Sequence, residues 1–212
     1  MPFKTPNKTS EYIRELLPKD NQLAHIIDYA DTHNVPILLP EAAAFLRQLV
    51  LLKQPKRVFE IGMGIGYSAH IILQNSDAVI TTIEIDKERI SIAKEFFKKS
   101  GLDKRVVILE GDEGDIIPKS EGFCDFIFLD GAKSKYIKHL PYLKNQLLTK
   151  GGILLADNVL FNGMIAGEKE EDKSKKNIIN GLRNFLNAIC SDNDFITSII
   201  NVGDGMSLSI LK

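Results

Sequence analysis

Polar side chains follow two buried strands predicted in the middle of the chain. Asp130 comes directly after the apolar run 124–129, and Asp157 and Asn158 follow the run 153–156. Because the carboxyl ends of neighbouring parallel strands meet at one edge of a sheet, we expect these three side chains to lie together. Two carboxylates and an amide oxygen suit Mg²⁺, Mn²⁺ or Ca²⁺ and leave positions open for substrate and water. The alternative is that these strand-end residues cap the helices that follow.

Lys133 stands three residues after Asp130 and would lie beside such a metal. A nearby cation disfavours the charged form of a lysine and lowers its pKa. Lys133 is therefore predicted to be a general base that works near neutral pH. The alternative is a solvated lysine, which is what we expect for the neighbouring Lys135 and Lys138.

A glycine-rich turn follows the first predicted strand, residues 57–61. Glycines at positions 62, 64 and 66 allow a tight turn and a close approach of the backbone to a ligand. The dinucleotide fingerprint would need its third glycine at position 67, which is Tyr67. A pyrophosphate cradle, and with it a nicotinamide dehydrogenase, is therefore not indicated. Glu60 before the glycines suits an amine-bearing ligand, although a plain strand-to-helix turn would look similar.

Two more carboxylates follow the second and third predicted strands. Glu84 lies 20 residues after Gly64, where doubly wound nucleotide sites place a carboxylate that accepts hydrogen bonds from ribose hydroxyls. Asp112 follows the third strand, where a carboxylate could accept a hydrogen bond from an adenine amino group. The alternatives are a surface glutamate and a turn aspartate.

Alternating strands and helices must position these side chains. From Pro55 onwards, five short strands are separated by helical patterns, which predicts a parallel sheet with helices on both faces. Two final strands, at 195–201 and 206–211, are joined by Gly203-Asp204-Gly205, which is a hairpin signal. The predicted fold class is α/β and Rossmann-like, with a seven-stranded, mostly parallel sheet, a C-terminal antiparallel hairpin and N-terminal helices.

Length and composition predict one domain. The chain has 212 residues, 44% of them hydrophobic and 26% charged, which is ordinary for a globular domain. We expect a single domain over residues 1–212, with an N-terminal helical cap (1–55) and an α/β core (56–212). Four scattered histidines and two distant cysteines offer no zinc spacing.

Hydropathy indicates no membrane partner. No apolar run approaches the roughly 20 residues that cross a bilayer, and residues 1–10 lack the apolar core of a signal peptide. We therefore expect a cytoplasmic protein. The net charge of −1 neither favours nor excludes a nucleic-acid partner.

Several of these segments together resemble the cation-dependent O-methyltransferases, a family that includes the catechol and caffeoyl-CoA enzymes. The resemblance covers residues 20–212 and is carried by residues 60–69, 82–86, 130–133 with Tyr136, 157–160 and 202–205. It implies the class I methyltransferase fold, with S-adenosyl-L-methionine (SAM) as cofactor and a divalent cation, for which Mg²⁺ is our expectation. The departure is Gly131-Ala132, where the animal catechol enzymes carry bulkier residues and which is more similar to the bacterial branch.

The resemblance also implies roles for individual residues. Glu60 and the turn that follows it would hold the methionine part of SAM, Glu84 the ribose and Asp112 the adenine. The predicted cofactor-binding residues are Glu60, Gly62, Gly64, Tyr67, Ser68, Glu84, Asp112 and Asp130. Asp130, Asp157 and Asn158 would bind the metal, and Lys133 would be the catalytic base. This complete set argues against a cofactor-binding protein without catalysis.

The acceptor is less defined by these motifs. Within the bacterial branch, residues 33–37, 53–57, 157–163 and 203–205 are similar to enzymes that methylate 5-hydroxyuridine at the wobble position of the tRNA anticodon loop, giving 5-methoxyuridine. The resemblance thus implies tRNA as a partner. The alternative is a small catechol-type or caffeoyl-CoA-type phenolic, because a catechol and 5-hydroxyuracil present the same pair of neighbouring oxygens.

Two further expectations concern surfaces. Five basic residues after Phe161 could meet tRNA phosphates: Lys169, Lys173, Lys175, Lys176 and Arg183. Acidic residues lie between them, which also fits a solvated loop. The N-terminal helices carry more apolar residues than one sheet face needs, and the family resemblance implies a homodimer.

Overall fold

A computed structural model of the chain describes residues 8–167 and 173–212. The strands in these ranges are β1 (Arg57–Ile61), β2 (Val79–Glu84), β3 (Val106–Glu110), β4 (Cys124–Leu129), β5 (Leu148–Ala156), β6 (Phe195–Ile200) and β7 (Met206–Leu211). They form one seven-stranded sheet in the order β3-β2-β1-β4-β5-β7-β6. The first five strands pair in parallel, and β7 is antiparallel to both β5 and β6. The predicted mostly parallel sheet with a C-terminal hairpin is therefore confirmed.

Helices pack on both faces of the sheet. They are α1 (Lys8–Leu16), α2 (Ala24–His33), α3 (Pro40–Lys53), α4 (Tyr67–Gln74), α5 (Lys87–Lys99), α6 (Glu113–Ile116), α7 (Tyr136–Tyr142) and α8 (Lys176–Ser191). Short 3₁₀ turns occupy 103–105, 117–119, 133–135 and 173–175, and a π-helical turn occupies 143–147. Within the described ranges, no helix is long and apolar enough to cross a membrane.

The centre of the sheet separates two apolar clusters. Phe126 and Phe128 of β4 pack with α2 to α5 on one face. Ile127 and Leu129 pack with α7 and α8 on the other face. Successive side chains of a strand point to opposite faces, so a strand covered on both sides must be apolar throughout, as the sequence predicts for β4.

The N-terminal segment is helical, as predicted. Pro40 occupies the first turn of α3, where its missing N–H is not needed. Leu46 and Val50 of α3 are fully buried in the same cluster as α2. In contrast, α1 has no buried residue, so its apolar side chains are exposed in the single chain.

The segment between β4 and β5 differs from the prediction. The pattern predicted one helix from 136 to 148, closed by glycines, and a strand that starts at 153. The α-helical part ends at Tyr142 and a π-helical turn continues to Leu147, so the segment is helical to about its predicted end, but β5 begins at Leu148 rather than at 153. Proline cannot donate the helical hydrogen bond of its position, and the change from α-helical to π-helical hydrogen bonding follows Pro141 directly. A register shift in β4 between Cys124 and Phe126 accommodates the longer β5.

Candidate active site at the carboxyl edge of the sheet

A cavity of about 260 Å³ opens where β1 to β4 end. Its lining includes four of the predicted cofactor-binding residues, namely Gly62, Glu84, Asp112 and Asp130. In doubly wound sheets, ligands bind at this edge of the strands. The structure thus brings together the predicted ribose and adenine carboxylates with the first glycine of the turn.

The glycine turn is tightly packed against the next strand. Gly62 has φ 91°, and a side chain there would come within 2.4 Å of the Asp130 carbonyl oxygen. The backbone N–H groups of Gly62 and Met63 both donate to the carbonyl of Ile83, at 3.0 and 3.1 Å. Only glycine fits this position, because both the positive φ and the close backbone exclude a Cβ atom.

The buried side chain of Glu60 lies on the interior side of this turn and stabilises it. Its carboxylate is fully buried and accepts hydrogen bonds from the hydroxyls of Ser68 (2.5 Å) and Thr82 (2.6 Å). Burial raises the pKa of Glu60 to about 7, against the opposing effect of these hydroxyls. Glu60 and Ser68 therefore contact each other beneath the glycines, and their contact with SAM stays a prediction. The sequence offered no signal for Thr82, since threonine is ordinary in a strand.

Glu84 joins the end of β2 to the glycine turn. One carboxylate oxygen accepts a hydrogen bond from the Gly64 N–H at 2.8 Å, and the other accepts from Ile85 and Asp86 at 2.9 and 3.0 Å. A carboxylate has roughly four acceptor positions, so one remains for a ribose hydroxyl.

Asp112 has two partners in the structure. It caps α6 by accepting from the Gly114 N–H at 2.7 Å, and both of its oxygens lie 2.8 Å from Nζ of Lys135. The hydrogen bond from Lys135 holds the pKa of Asp112 below its usual value. The expectation that Lys135 is merely solvated was wrong, because it pairs with Asp112 and lines the cavity.

Tyr67 lies in a different environment from the other predicted cofactor residues. It is the first residue of α4 and is buried in the apolar cluster on the α3 side of the sheet. Burial raises the pKa of its hydroxyl. Tyr67 is not part of the lining of the cavity, so its contact with SAM stays a prediction.

The predicted metal-binding residues lie where β4 and β5 end. The Asp130 side chain is 25% exposed, and its Oδ1 atom accepts from Nζ of Lys133 at 2.6 Å. Asp157 is buried, and its Oδ1 atom has no hydrogen-bond partner. The Tyr136 hydroxyl donates to the carbonyls of Leu129 (3.0 Å) and Asp157 (3.4 Å), which ties the two strand ends together.

Electrostatics show that these carboxylates are close neighbours. The pKa of Asp157 is raised by burial and by the charge of Asp130. Burial alone would lower the pKa of Lys133, but the combined effect of its neighbours, among which the charge of Asp130 is the largest, outweighs burial and the pKa is raised. In this pairing Lys133 is a firmly protonated cation, in contrast to the lowered pKa predicted for a lysine beside a metal.

The donor set fits a divalent cation. A buried carboxylate oxygen without a partner is unfavourable unless something compensates its charge, and Asp157 has such an oxygen. Asn158 has φ 56°, in the left-handed region that asparagine tolerates. No group of three or more His, Cys, Asp or Glu side chains suited to a metal occurs in the described ranges. A cation here would therefore need Asn158 and ligands from outside the chain.

The loop after Asp157 is held by the C-terminal hairpin. Backbone N–H groups of Val159 and Leu160 donate to the carbonyls of Gly205 (2.9 Å) and Asp204 (3.1 Å). The Asp204 side chain accepts from the Asn162 N–H at 2.5 Å. The sequence indicated only a hairpin at 203–205, whereas the structure shows that this turn also fixes the loop beside Asp157.

The predicted basic cluster is only partly available to a ligand. Lys169 lies outside the described residues. The Arg183 guanidinium points to the carbonyls of Met164 and Ile165, at 3.5 and 3.4 Å. Nζ of Lys175 lies 6.0 Å from the ring centroid of Phe161, whereas Lys173 and Lys176 are exposed.

Comparison with known proteins places this arrangement in a family. The model of the O-methyltransferase family matches residues 9–212, so the chain belongs to this family and is a SAM-dependent O-methyltransferase. This agrees with the resemblance inferred from the strand-end motifs.

Individual relatives are similar over most of their length. A caffeoyl-CoA O-methyltransferase from Populus kitakamiensis is 28% identical over 186 residues, which cover 82% of this chain and 77% of the relative. A flavonoid 3',5'-methyltransferase from Vitis vinifera is 28% identical over 193 residues (85% and 79%). The crystal structure of an O-methyltransferase from Bacillus cereus in complex with SAH superposes with a TM-score of 0.83 at 22% sequence identity. The match covers 96% of this chain and 97% of the Bacillus cereus chain. This last similarity shows the shared fold.

Proposed function

We propose that this methyltransferase methylates a hydroxyl of a small phenolic acceptor that carries a second oxygen on the neighbouring carbon, and that it requires a divalent cation such as Mg²⁺. The observation that carries this proposal is the meeting of Asp130, Lys133 and Asp157 at the ends of β4 and β5. This group adjoins the cavity that we assign to SAM, since Asp130 belongs to both.

The names of the relatives support the class of acceptor. Caffeoyl-CoA and flavonoids, which appear in the names of the Populus and Vitis enzymes, are phenolic compounds. The tRNA acceptor predicted from the sequence gains no support from these names. The contacts of Arg183 in α8 with the carbonyls of Met164 and Ile165 also weaken the argument from a basic cluster.

Each part of the site has a distinct role in this proposal. SAM supplies the methyl group as a sulfonium. A divalent cation, when bound, supplies Lewis acidity that lowers the pKa of the acceptor hydroxyl. Asp130, Asp157 and Asn158 would hold the cation, and Glu84 would orient the ribose. The main contribution of the chain is to place the acceptor oxygen in line with the methyl group.

Lys133 would accept the proton of the acceptor hydroxyl. In the pairing with Asp130 at 2.6 Å, it holds its own proton and cannot act as a base. A base role therefore requires the Asp130 carboxylate to be engaged elsewhere, which its proposed role as a metal ligand provides. Tyr136 keeps Lys133 near this position, because the lysine Nζ lies 5.9 Å from the centroid of its ring.

A methyl-transfer assay with labelled SAM tests the proposal. Catechol, caffeoyl-CoA and tRNA that contains 5-hydroxyuridine would be offered in parallel, each with Mg²⁺, with EDTA, and with Mg²⁺ restored. We expect transfer to a phenolic acceptor that EDTA abolishes and Mg²⁺ restores. Transfer to tRNA alone would overturn the acceptor class, and transfer that survives EDTA would overturn the cation requirement.

A matched pair of variants tests the cation site directly. Asp157→Asn should abolish the Mg²⁺ response, because it removes the buried charge that the cation would compensate. Asp77→Asn should have no effect, because the Asp77 side chain is 91% exposed and distant in the fold. Equal Mg²⁺ dependence in both variants would contradict the assignment of Asp157.

We also propose a homodimer and a cytoplasmic location. Exposed apolar side chains of α1 and α3 support the dimer: Tyr12 is 61% exposed, Leu16 66% and Leu52 84%. Light scattering after size exclusion should give twice the 23.7 kDa mass of one chain. A monomer at micromolar concentration would refute the dimer.

A further inference from the structure

The loop between β4 and α7 is attached to a carboxylate that has no role in the reaction described above. This loop, residues 130–133, carries Asp130 and Lys133. Both carboxylate oxygens of Glu113 accept from the backbone N–H of Ala132, at 3.2 and 3.3 Å. Nε2 of His139 lies 3.2 Å from Oε1 of the same carboxylate. Glu113 thus connects α6, the loop and α7.

Only part of this connection is shielded from water, because Ala132 itself is exposed. The side chains of Glu113 and His139 are only 12% and 4% exposed. Hydrogen bonds to a charged group are stronger than neutral ones, and His139 holds the Glu113 carboxylate in place beside the Ala132 N–H. The buried placement of Glu113 and His139, and not burial of Ala132, should therefore restrain the loop.

Gly131 leaves the space that the carboxylate occupies. A Cβ atom at this position would stand 2.1 Å from Oε2 of Glu113 and 2.8 Å from a methyl group of Ile61. A side chain at 131 and the Glu113 attachment therefore exclude each other unless the carboxylate moves. Gly131 is thus coupled to Glu113.

We propose that Glu113, supported by His139, is a positioning residue that fixes the backbone of residues 130–133 for cofactor binding and methyl transfer. Asp130, Gly131 and Ala132 line the cavity assigned to SAM, as Glu113 itself does and His139 does not, so movement of the loop changes that cavity. The effect on the transfer rate rests on the proposed role of Lys133. The expected effects on loop motion and cofactor binding do not depend on that role.

Hydrogen–deuterium exchange of the protein without added ligands measures the loop directly. Glu113→Ala should increase the exchange of the Ala132 amide by about tenfold, because the amide loses a charged acceptor. Glu113→Gln keeps an oxygen acceptor, and the increase should stay below about threefold. The control Glu95→Gln, which removes an exposed carboxylate of α5, should leave the exchange unchanged.

Gly131→Ala tests the same attachment from the other side. The added methyl group displaces the Glu113 carboxylate and should raise exchange at Ala132 as Glu113→Ala does. The variant also keeps the proposal testable if Glu113→Ala fails to fold. Unchanged exchange at Ala132 in both folded variants would overturn the proposal.

Binding of S-adenosylhomocysteine (SAH) by calorimetry provides the functional measurement. Glu113→Ala should weaken SAH binding about tenfold, with rescue by Glu113→Gln. His139→Phe, which keeps a ring but removes the hydrogen bond, should add little to Glu113→Ala, because both act through one attachment. A lower Tm with unchanged SAH affinity would overturn the proposal, since Glu113 would then be only structural. If the Glu113 variants change SAH affinity but the wild type transfers a methyl group to none of the acceptors, the proposed function is refuted and this inference stands.

Discussion

The carboxylate of Glu84 accepts a hydrogen bond from the backbone N–H of Gly64 at 2.8 Å. This contact joins the end of β2 to the turn after β1, so the predicted ribose ligand also shapes the predicted methionine site. The two further hydrogen bonds from Ile85 and Asp86 fix the orientation of the carboxylate before any ligand binds.

Glu84→Ala should therefore weaken SAH binding by at least about tenfold, through loss of a charge-assisted hydrogen bond and of the restraint on the turn. Titration calorimetry with SAH measures the change. Glu88→Gln is the matched control, because Glu88 lies in the exposed first turn of α5 and should bind SAH like the wild type. Wild-type affinity in Glu84→Ala would exclude Glu84 from the cofactor site.

The residues that follow strands could be predicted from the sequence. Glu84, Asp130 and Asp157 each come after an apolar run, and parallel strands end at a common edge whatever the details of the packing. The mostly parallel sheet and the C-terminal hairpin also agree with the sequence pattern, whereas the order of the strands was not predicted. The local pattern of apolar and polar residues is enough to predict these positions, and no contact between distant residues is needed.

Residues that act through distant contacts could not be predicted. Glu113 follows Asp112 in the first turn of a short helix, where an acidic residue is already expected for favourable interaction with the helix dipole. Nothing in its neighbourhood shows that it reaches Ala132, 19 positions later. The start of β5 at Leu148 was missed because apolar residues continue from the helical segment into the strand, and periodicity alone does not separate a buried helix from the buried strand that follows.

Lys133→Met should reduce kcat by at least about 100-fold, which is the lower range for removal of a general base. Methionine is unbranched and similar in length, and it removes the ammonium group that lies over the Tyr136 ring. SAH affinity should change by less than about threefold, because Lys133 is not part of the cavity lining. Radiometric transfer to the acceptor found for the wild type measures kcat, and Lys138→Met serves as the exposed control. Retained turnover in Lys133→Met would mean that another group takes the proton.

Glu60 should make the stability of the protein depend on pH. Burial raises its pKa from 4.5 to about 7, so the folded state holds a proton that the unfolded state has released over this range. Stability should therefore fall as pH rises from about 4.5 to about 7, by about 3 kcal/mol in total from this group. The sign is the reverse of that for a salt-bridged carboxylate with a lowered pKa.

Glu60→Gln removes this titration and keeps partners for Ser68 and Thr82. We expect the wild type to lose more Tm between pH 5 and 8 than Glu60→Gln does, as measured by thermal unfolding in buffers of matched ionic strength. Glu95→Gln should follow the wild type, since that side chain is exposed. Identical pH slopes for all three proteins would show that Glu60 ionises normally.

Gly205 should be the most sensitive glycine of the C-terminal hairpin. Its φ is 84°, and a Cβ atom would lie 2.3 Å from Cγ of Leu160. Gly205→Ala must therefore move the loop that begins at Asp157, and we expect a lower Tm together with a loss of kcat of about tenfold or more. Gly101→Ala separates the two causes, because Gly101 also has a positive φ (68°) but nothing lies within 4 Å of its Cβ position. If both variants lose the same Tm and both keep wild-type kcat, the backbone conformation alone explains the effect, and the hairpin does not position the loop beside Asp157.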